Sequence, residues 1–191
     1  MDAYMASKVF KERTRLSGPG WETSGNPTRE TVLELFNKLM LVMNNKRVPM
    51  LGRILYVTPE TAMMINWNKE VVKAQNINTS SASILTDVSQ INQVRIEQVP
   101  PELMLTAYDF HVPRHGFQAL PDARQIHMLL IHPVAVLTPV RYNFAQLDPP
   151  SAGSQGKWVY YEEAYEDVFV LKNKADAVQA IVSPAGKAAG K

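Results

Sequence analysis

The chain has 191 residues, of which 46% are apolar and 20% charged, with a formal net charge of +2. That balance excludes a disordered chain and fits one globular domain or two small intergrown ones. Having no cysteine, it has no disulfide scaffold, thiolate zinc site, cysteine nucleophile or iron–sulfur cluster, and it fits maturation in a reducing cytoplasm. Nucleic-acid binding as the main task is disfavoured. Residues 1–60 hold nine Lys/Arg against six Asp/Glu, but the run Lys8, Lys11, Arg13, Arg15 has no interleaved stacking platform and reads as a solvated face.

No apolar run approaches the roughly 20 residues that span a bilayer. Residues 128–131 and 134–137 are separated by His132-Pro133, and the N-terminus lacks the basic and apolar regions of a signal peptide. The expectation is a soluble intracellular protein without a membrane partner.

In chain order, a short helix is predicted over about residues 2–13, followed by a loop over 17–27 rich in Gly, Ser and Pro. The clearest element is a helix over about 27–45. Asn26 is its expected cap, Pro27 its first residue and Glu30 its first-turn acid. Val32, Phe36, Leu39 and Met43 recur at helical spacing, with Leu33, Leu35 and Met40 widening the stripe. Residues 53–57 read as a buried strand. Thr58-Pro59-Glu60 opens a short helix through Asn68, with Met63, Met64 and Trp67 expected to face inward.

Residues 73–93 are polar and long for a plain connection, which marks a mobile loop or a contact surface. Alternation over 94–99 predicts a half-buried strand. Residues 102–108 are ambiguous and 109–122 irregular. Residues 126–131 read as a central strand. Residues 134–142 suit a short helix or a second strand, and Pro139 argues against one uninterrupted element. Strands are expected at 158–163 and 167–171, flanking an acidic stretch, and a last one near 177–182. The tail 183–191 is small, basic and expected to fray. Helices among many short strands, without regular strand–helix alternation, make the fold class α+β.

No constellation carries chemistry. His111 and His115 are separated by Pro113, and His127 and His132 lie five apart, on opposite faces of a strand. The carboxylates Glu162, Glu163, Glu166 and Asp167 read as a solvated edge rather than a paired acid and base. There is neither a Gly-x-Ser-x-Gly elbow nor a phosphate-binding loop. The sequence therefore predicts no enzyme, no catalytic, cofactor-binding or metal residues, and no cofactor.

The order of particular segments goes further. Residues 31–36, then Arg47-Val48-Pro49, then 52–59 come in sequence. Further on are 94–100 with 103–110, 131–136 with Pro139-Val140, and 165–177. Together they resemble a tailed-bacteriophage major capsid protein of the Hong Kong 97-type fold, over nearly the whole chain from about residue 3 to 182.

The resemblance implies a structural subunit that self-assembles into the icosahedral shell enclosing phage DNA. It is made in the bacterial host cytoplasm and resides in the virion capsid. It implies a spine helix at 27–45 within a peripheral domain (1–50, completed by 143–182), an axial domain at 51–142, and a long peripheral β-hairpin or sheet. The partners implied are other copies, in pentamers and hexamers, with scaffolding or portal proteins; packaged DNA would be met only by non-specific contact. Members are usually longer, with an N-terminal arm and extended loop ahead of the segment resembling residues 2–10. The chain thus reads as the C-terminal portion of such a subunit. Two alternatives stand beside this reading: an encapsulin-like compartment shell, and a small α+β binding module using Tyr108, Asp109, His111 and His115.

Overall fold

A computed structural model of the chain describes residues 2–69, 71, 88–112 and 116–184. The elements, in order, begin with α1 (Ala3–Ser17), β1 (Thr23–Ser24), α2 (Val32–Asn45), β2 (Ile54–Val57) and α3 (Pro59–Asn66). They continue with β3 (Gln90–Ile91), β4 (Val94–Gln98), β5 (Tyr108–Asp109), β6 (Gln118–Ala119) and β7 (Ile126–Ile131). The last are β8 (Val136–Leu137), β9 (Val140–Asp148), β10 (Val159–Glu166), β11 (Phe169–Val170) and β12 (Val178–Val182). The fold is α+β.

The body is a mixed six-stranded sheet in the order β1-β12-β7-β2-β4-β3. Its centre, β12, β7 and β2, is antiparallel throughout, while β1 joins β12 and β4 joins β2 in parallel. Helices cover both faces. On one side Val9 and Phe10 of α1 pack with Leu129, Ile131, Val178 and Ala180. On the other, Val32, Phe36, Leu39 and Met43 of α2 and Ala62 and Ile65 of α3 pack with Leu55, Val57, Met128, Leu130 and Ile181. A strand between two apolar layers loses the apolar–polar alternation of a half-buried one. All five residues of β12 are accordingly buried.

The predicted central strand at 126–131 forms with those bounds. A register shift opposite Ile181 and Val182 carries Ile126 to the α1 side while Met128 faces α2, as a bulge does when it inserts one residue.

Other expectations are corrected. The helix read over 27–45 begins at Val32, not Pro27, and Asn26 does not cap it. Thr28 and Thr31 exchange hydrogen bonds, Thr28 N donating to Thr31 Oγ1 at 3.1 Å and Thr31 N to Thr28 Oγ1 at 3.3 Å. This local turn satisfies amides that a helix start would leave open. The helix is therefore 14 residues long, about 21 Å at ~1.5 Å per residue.

In α3 the inward residues are Thr61, Ala62 and Ile65. Met63 and Trp67 face outward, and Met64 is half-buried. Thr58 accepts a hydrogen bond from Thr61 N, and Pro59 fixes the first turn. The start so defined sets which side meets the sheet.

Helix α1 runs a turn longer than expected, from an Asp2 cap to Gly18, whose φ of 73° ends it. The region 134–142 is both alternatives in succession: a 3-10 turn at Pro133–Ala135, then β8, with β9 beginning beyond Pro139. Of the polar stretch 73–93, residues 73–87 lie outside the described residues. The rest forms a β3–β4 hairpin through Asn92 and Gln93 with φ of 49° and 65°, the turn whose twist matches its strands. In the tail only Ser183 and Pro184 are described.

Candidate assembly surface

The conspicuous surface feature is a two-stranded ribbon of β9 and β10, paired antiparallel from Val140 to Glu166. Nine residues at ~3.4 Å each make it about 30 Å long. Every residue of β9 is exposed, and all of β10 but the half-buried Glu163, so among the described residues the ribbon lies on nothing. An isolated two-stranded hairpin is marginal in water, and this one carries the wrong surface for solvent.

Register assigns its faces, since cross-strand partners share one and neighbours along a strand alternate. Tyr142 with Tyr165, Phe144 with Glu163, and Gln146 with Tyr161 form one face. Its rings cluster: Tyr142 and Phe144 stack at 6.4 Å, Tyr142 meets Tyr165 at 6.0 Å, and Phe144 meets Tyr161 at 6.1 Å. The other face carries Leu147 opposite Tyr160 and Ala145 opposite Glu162. Trp158, at the tip, is 62% exposed. Exposed rings at this density mark an interaction surface.

The ribbon is also acidic, with Asp148, Glu162, Glu163 and Glu166 against Arg141 and Lys157. Tyr161 donates to Glu163 at 2.8 Å and Tyr160 to Glu162 at 2.9 Å. Those carboxylates raise both phenols above their ordinary value, keeping the hydroxyls protonated. These acids, expected as a solvated edge, thus stand among tyrosines on a projecting arm.

The root of the arm is fastened. Asp167 follows β10 directly, and its Oδ1 accepts from Val168 N at 2.7 Å and Tyr4 Oη at 2.9 Å, with Lys8 Nζ at 3.3 Å. Tyr4 and Lys8 sit one turn apart on α1, so one carboxylate spans two rungs of the helix. The Val168 amide, then the Tyr4 hydroxyl and Lys8, hold its carboxyl below its ordinary value. Val168 and Val170 are buried in the α1-side core, and β11 pairs with β8. The base is buried and bonded while the arm stands clear of the other described residues.

A second surface lies at the end of α2. Met40, Leu41 and Met50, with Asn37, Asn44, Asn92 and Gln93, line an open hollow of about 430 Å³. Beneath it lies Arg53, 1% exposed. Its guanidinium donates to Val48 O at 2.7 Å, Asn44 Oδ1 at 2.8 Å, Pro49 O at 2.9 Å and Met40 Sδ at 3.2 Å. No described carboxylate pairs with it, and burial pushes its pKa down.

The described residues proposed for a binding module are engaged locally, with His111 Nδ1 3.6 Å from Asp109 Oδ1. The Tyr108 hydroxyl donates to Glu102 O and accepts from Leu105 N. Asp109 accepts from His111 N, while the His111 side chain is 96% exposed; His115 lies outside the described residues. His127 contacts Ser183 Oγ and His132 contacts Leu51 O. Among the described residues no group of three or more His, Asp or Glu is placed to hold a metal ion, and no helix is long and apolar enough to cross a membrane. The resemblance implies a long peripheral β-hairpin or sheet, but the exposure of these aromatics is not legible in the sequence, where they read equally well as core.

No protein-family model matches the sequence, and no curated protein matches it significantly. Solved structures do. A chain of the asymmetric unit of the bacteriophage PhiM1 mature capsid superposes with a TM-score of 0.65 at 12% identity, over 94% of this chain and 59% of its own. A chain from Mycobacterium phage Che8 gives 0.60 at 11% identity, over 94% and 56%. The capsid of cyanophage P-SCSP1u gives 0.56 at 12% identity, over 81% and 46%. This chain therefore spans between 46% and 59% of the length of these three structures. The chain shares its α+β fold with these phage capsid structures.

Proposed function

We propose that the chain is the shell-forming part of a tailed-phage major capsid subunit of the Hong Kong 97-type fold, working by repeated contact between copies and not by catalysis. The observation that carries this reading is the β9–β10 ribbon. An aromatic arm with a fastened root and no partner among the described residues is built to be covered by another molecule, and the likeness to capsid structures supports a second copy as that molecule. In such a shell the chain resides in the virion and is made in the host cytoplasm. Scaffolding or portal proteins are further partners, and DNA is met only through non-specific charge.

The division into a peripheral part (1–50 and 143–182) and an axial part (51–142) belongs to the same proposal. Because β12 pairs with β7 across that division, the two parts share one sheet and cannot move as separate bodies without disturbing that pairing.

Light scattering coupled to size exclusion, over a concentration series, tests the reading. Pentamers, hexamers or larger particles are expected. A strict monomer at every concentration overturns self-assembly by this chain.

A further inference from the structure

We propose that the aromatic face of the β9–β10 ribbon of one copy docks on the hollow at the end of α2 of the next copy. The inference rests on the assembly reading and names the surfaces it uses.

Complementarity selects this pairing. The ribbon face presents Tyr142, Phe144, Tyr161 and Tyr165 around the carboxylate of Glu163. The hollow offers the reverse: an apolar floor of Met40, Leu41 and Met50, with an amide rim of Asn37, Asn44 and Asn92. Arg47, exposed in the turn between Asn44 and Met50, forms no ion pair with any described residue. Arg53 lies beneath the floor, bonded to Met40 and Asn44 of the lining and without a carboxylate partner among the described residues. The exposed Arg47 suits a carboxylate, and the methionines of the floor suit π faces; Arg53, fully bonded and buried, only holds the lining in place. Leu41 at 58% and Leu51 at 78% exposure extend the apolar surface beyond the hollow.

Size agrees. Aromatic side chains bury about 150–250 Å² each, so four half-exposed rings offer roughly 300–500 Å². That is about half of the ~800 Å² that each partner of a stable complex buries, with backbone and polar side chains left to supply the rest. The contact is heterologous, ribbon to α2 end, so each copy has one of each and successive copies close into a ring or extend without limit.

The absence of cysteine makes the test clean. Asn37→Cys, on the rim of the hollow, and Gln146→Cys, on the ringed face, remove neither a ring nor a floor residue. The two variant chains are mixed and treated with a short bis-maleimide at a concentration where scattering reports association. Dimers joining position 37 of one chain to 146 of the other are expected. Associated protein that gives only 146–146 dimers, or none, overturns this docking and leaves the shell reading standing. Protein that never associates overturns both.

A charge pair provides the second readout. Glu163→Lys is expected to raise the concentration needed for association about tenfold. Adding Arg47→Asp to the same chain is expected to restore it. Aspartate tolerates the left-handed backbone at position 47, where φ is 57°. Restoration cannot arise from misfolding, and its failure alongside a weakened single variant places Glu163 against some other surface.

Discussion

Replacing Arg53 by methionine tests what holds the end of α2. The native guanidinium is 1% exposed and donates to three oxygens, Val48 O, Pro49 O and Asn44 Oδ1, between 2.7 and 2.9 Å. Methionine fills much of the stem's volume and donates nothing. Stranding three acceptors costs about 1–3 kcal/mol each, and a new position for Asn44 recovers part of that. Removing a buried cation without a carboxylate partner returns several kcal/mol of desolvation. The net expectation is a loss of about 2–4 kcal/mol, which for a chain of this length lowers Tm by about 5–15 °C at roughly 2–4 °C per kcal/mol.

Urea unfolding followed by circular dichroism reads this as a lower midpoint at unchanged slope. Arg53→Lys should fall between the two, because an ammonium cannot reach three oxygens in a planar fork. Equal or higher stability in Arg53→Met would refute the reasoning. It would mean that the cost of burying the charge cancels all it does for the carbonyls of the 46–52 turn.

Leu39→Asp places a carboxylate at a site 1% exposed between α2 and the sheet. The variant should unfold rather than dissociate as a folded monomer, since an unpaired charge there adds to the loss of a buried leucine; size exclusion with circular dichroism distinguishes the outcomes. Asp167→Ala removes the three contacts at the arm's root, so amide exchange should quicken in β9 and β10 while β7 and β12 keep their protection. The Glu22–Arg124 pair, at 2.9 Å and largely buried, sets part of the acid limb. Burial acts to raise the Glu22 carboxyl, but the hydrogen bond from Arg124 and local backbone amides outweigh it and hold it below its ordinary value. Its contribution is therefore present above the unfolded value of about 4.3 and lost as pH falls through the lower folded value. Glu22→Gln should flatten the stability-against-pH curve in that window and lower the plateau at neutral pH.

The amphipathic stripe of α2, Val32, Phe36, Leu39 and Met43, and the strands at 94–98 and 126–131 were legible from local order, because periodicity records which side of an element meets an apolar neighbour. The order of short segments also carried a resemblance to phage capsid proteins, and the superposed phage capsid structures share this chain's fold.

Other features required tertiary structure. The start of α2 depended on two threonines satisfying each other's amides, a competition that a cap rule applied to Asn26-Pro27 does not resolve. Met63 and Trp67 face outward because the sheet, not hydrophobicity, chose the inner side of α3. The exposure of the ribbon's rings was not legible for a similar reason: Tyr142, Phe144, Tyr161 and Tyr165 have the composition of a core. Sequence by itself determined which residues are apolar and how they repeat along the chain. Only the tertiary structure decided which of them find a partner within it, because burial depends on contacts between residues distant in sequence, and the register of a ribbon says nothing about what will cover its face.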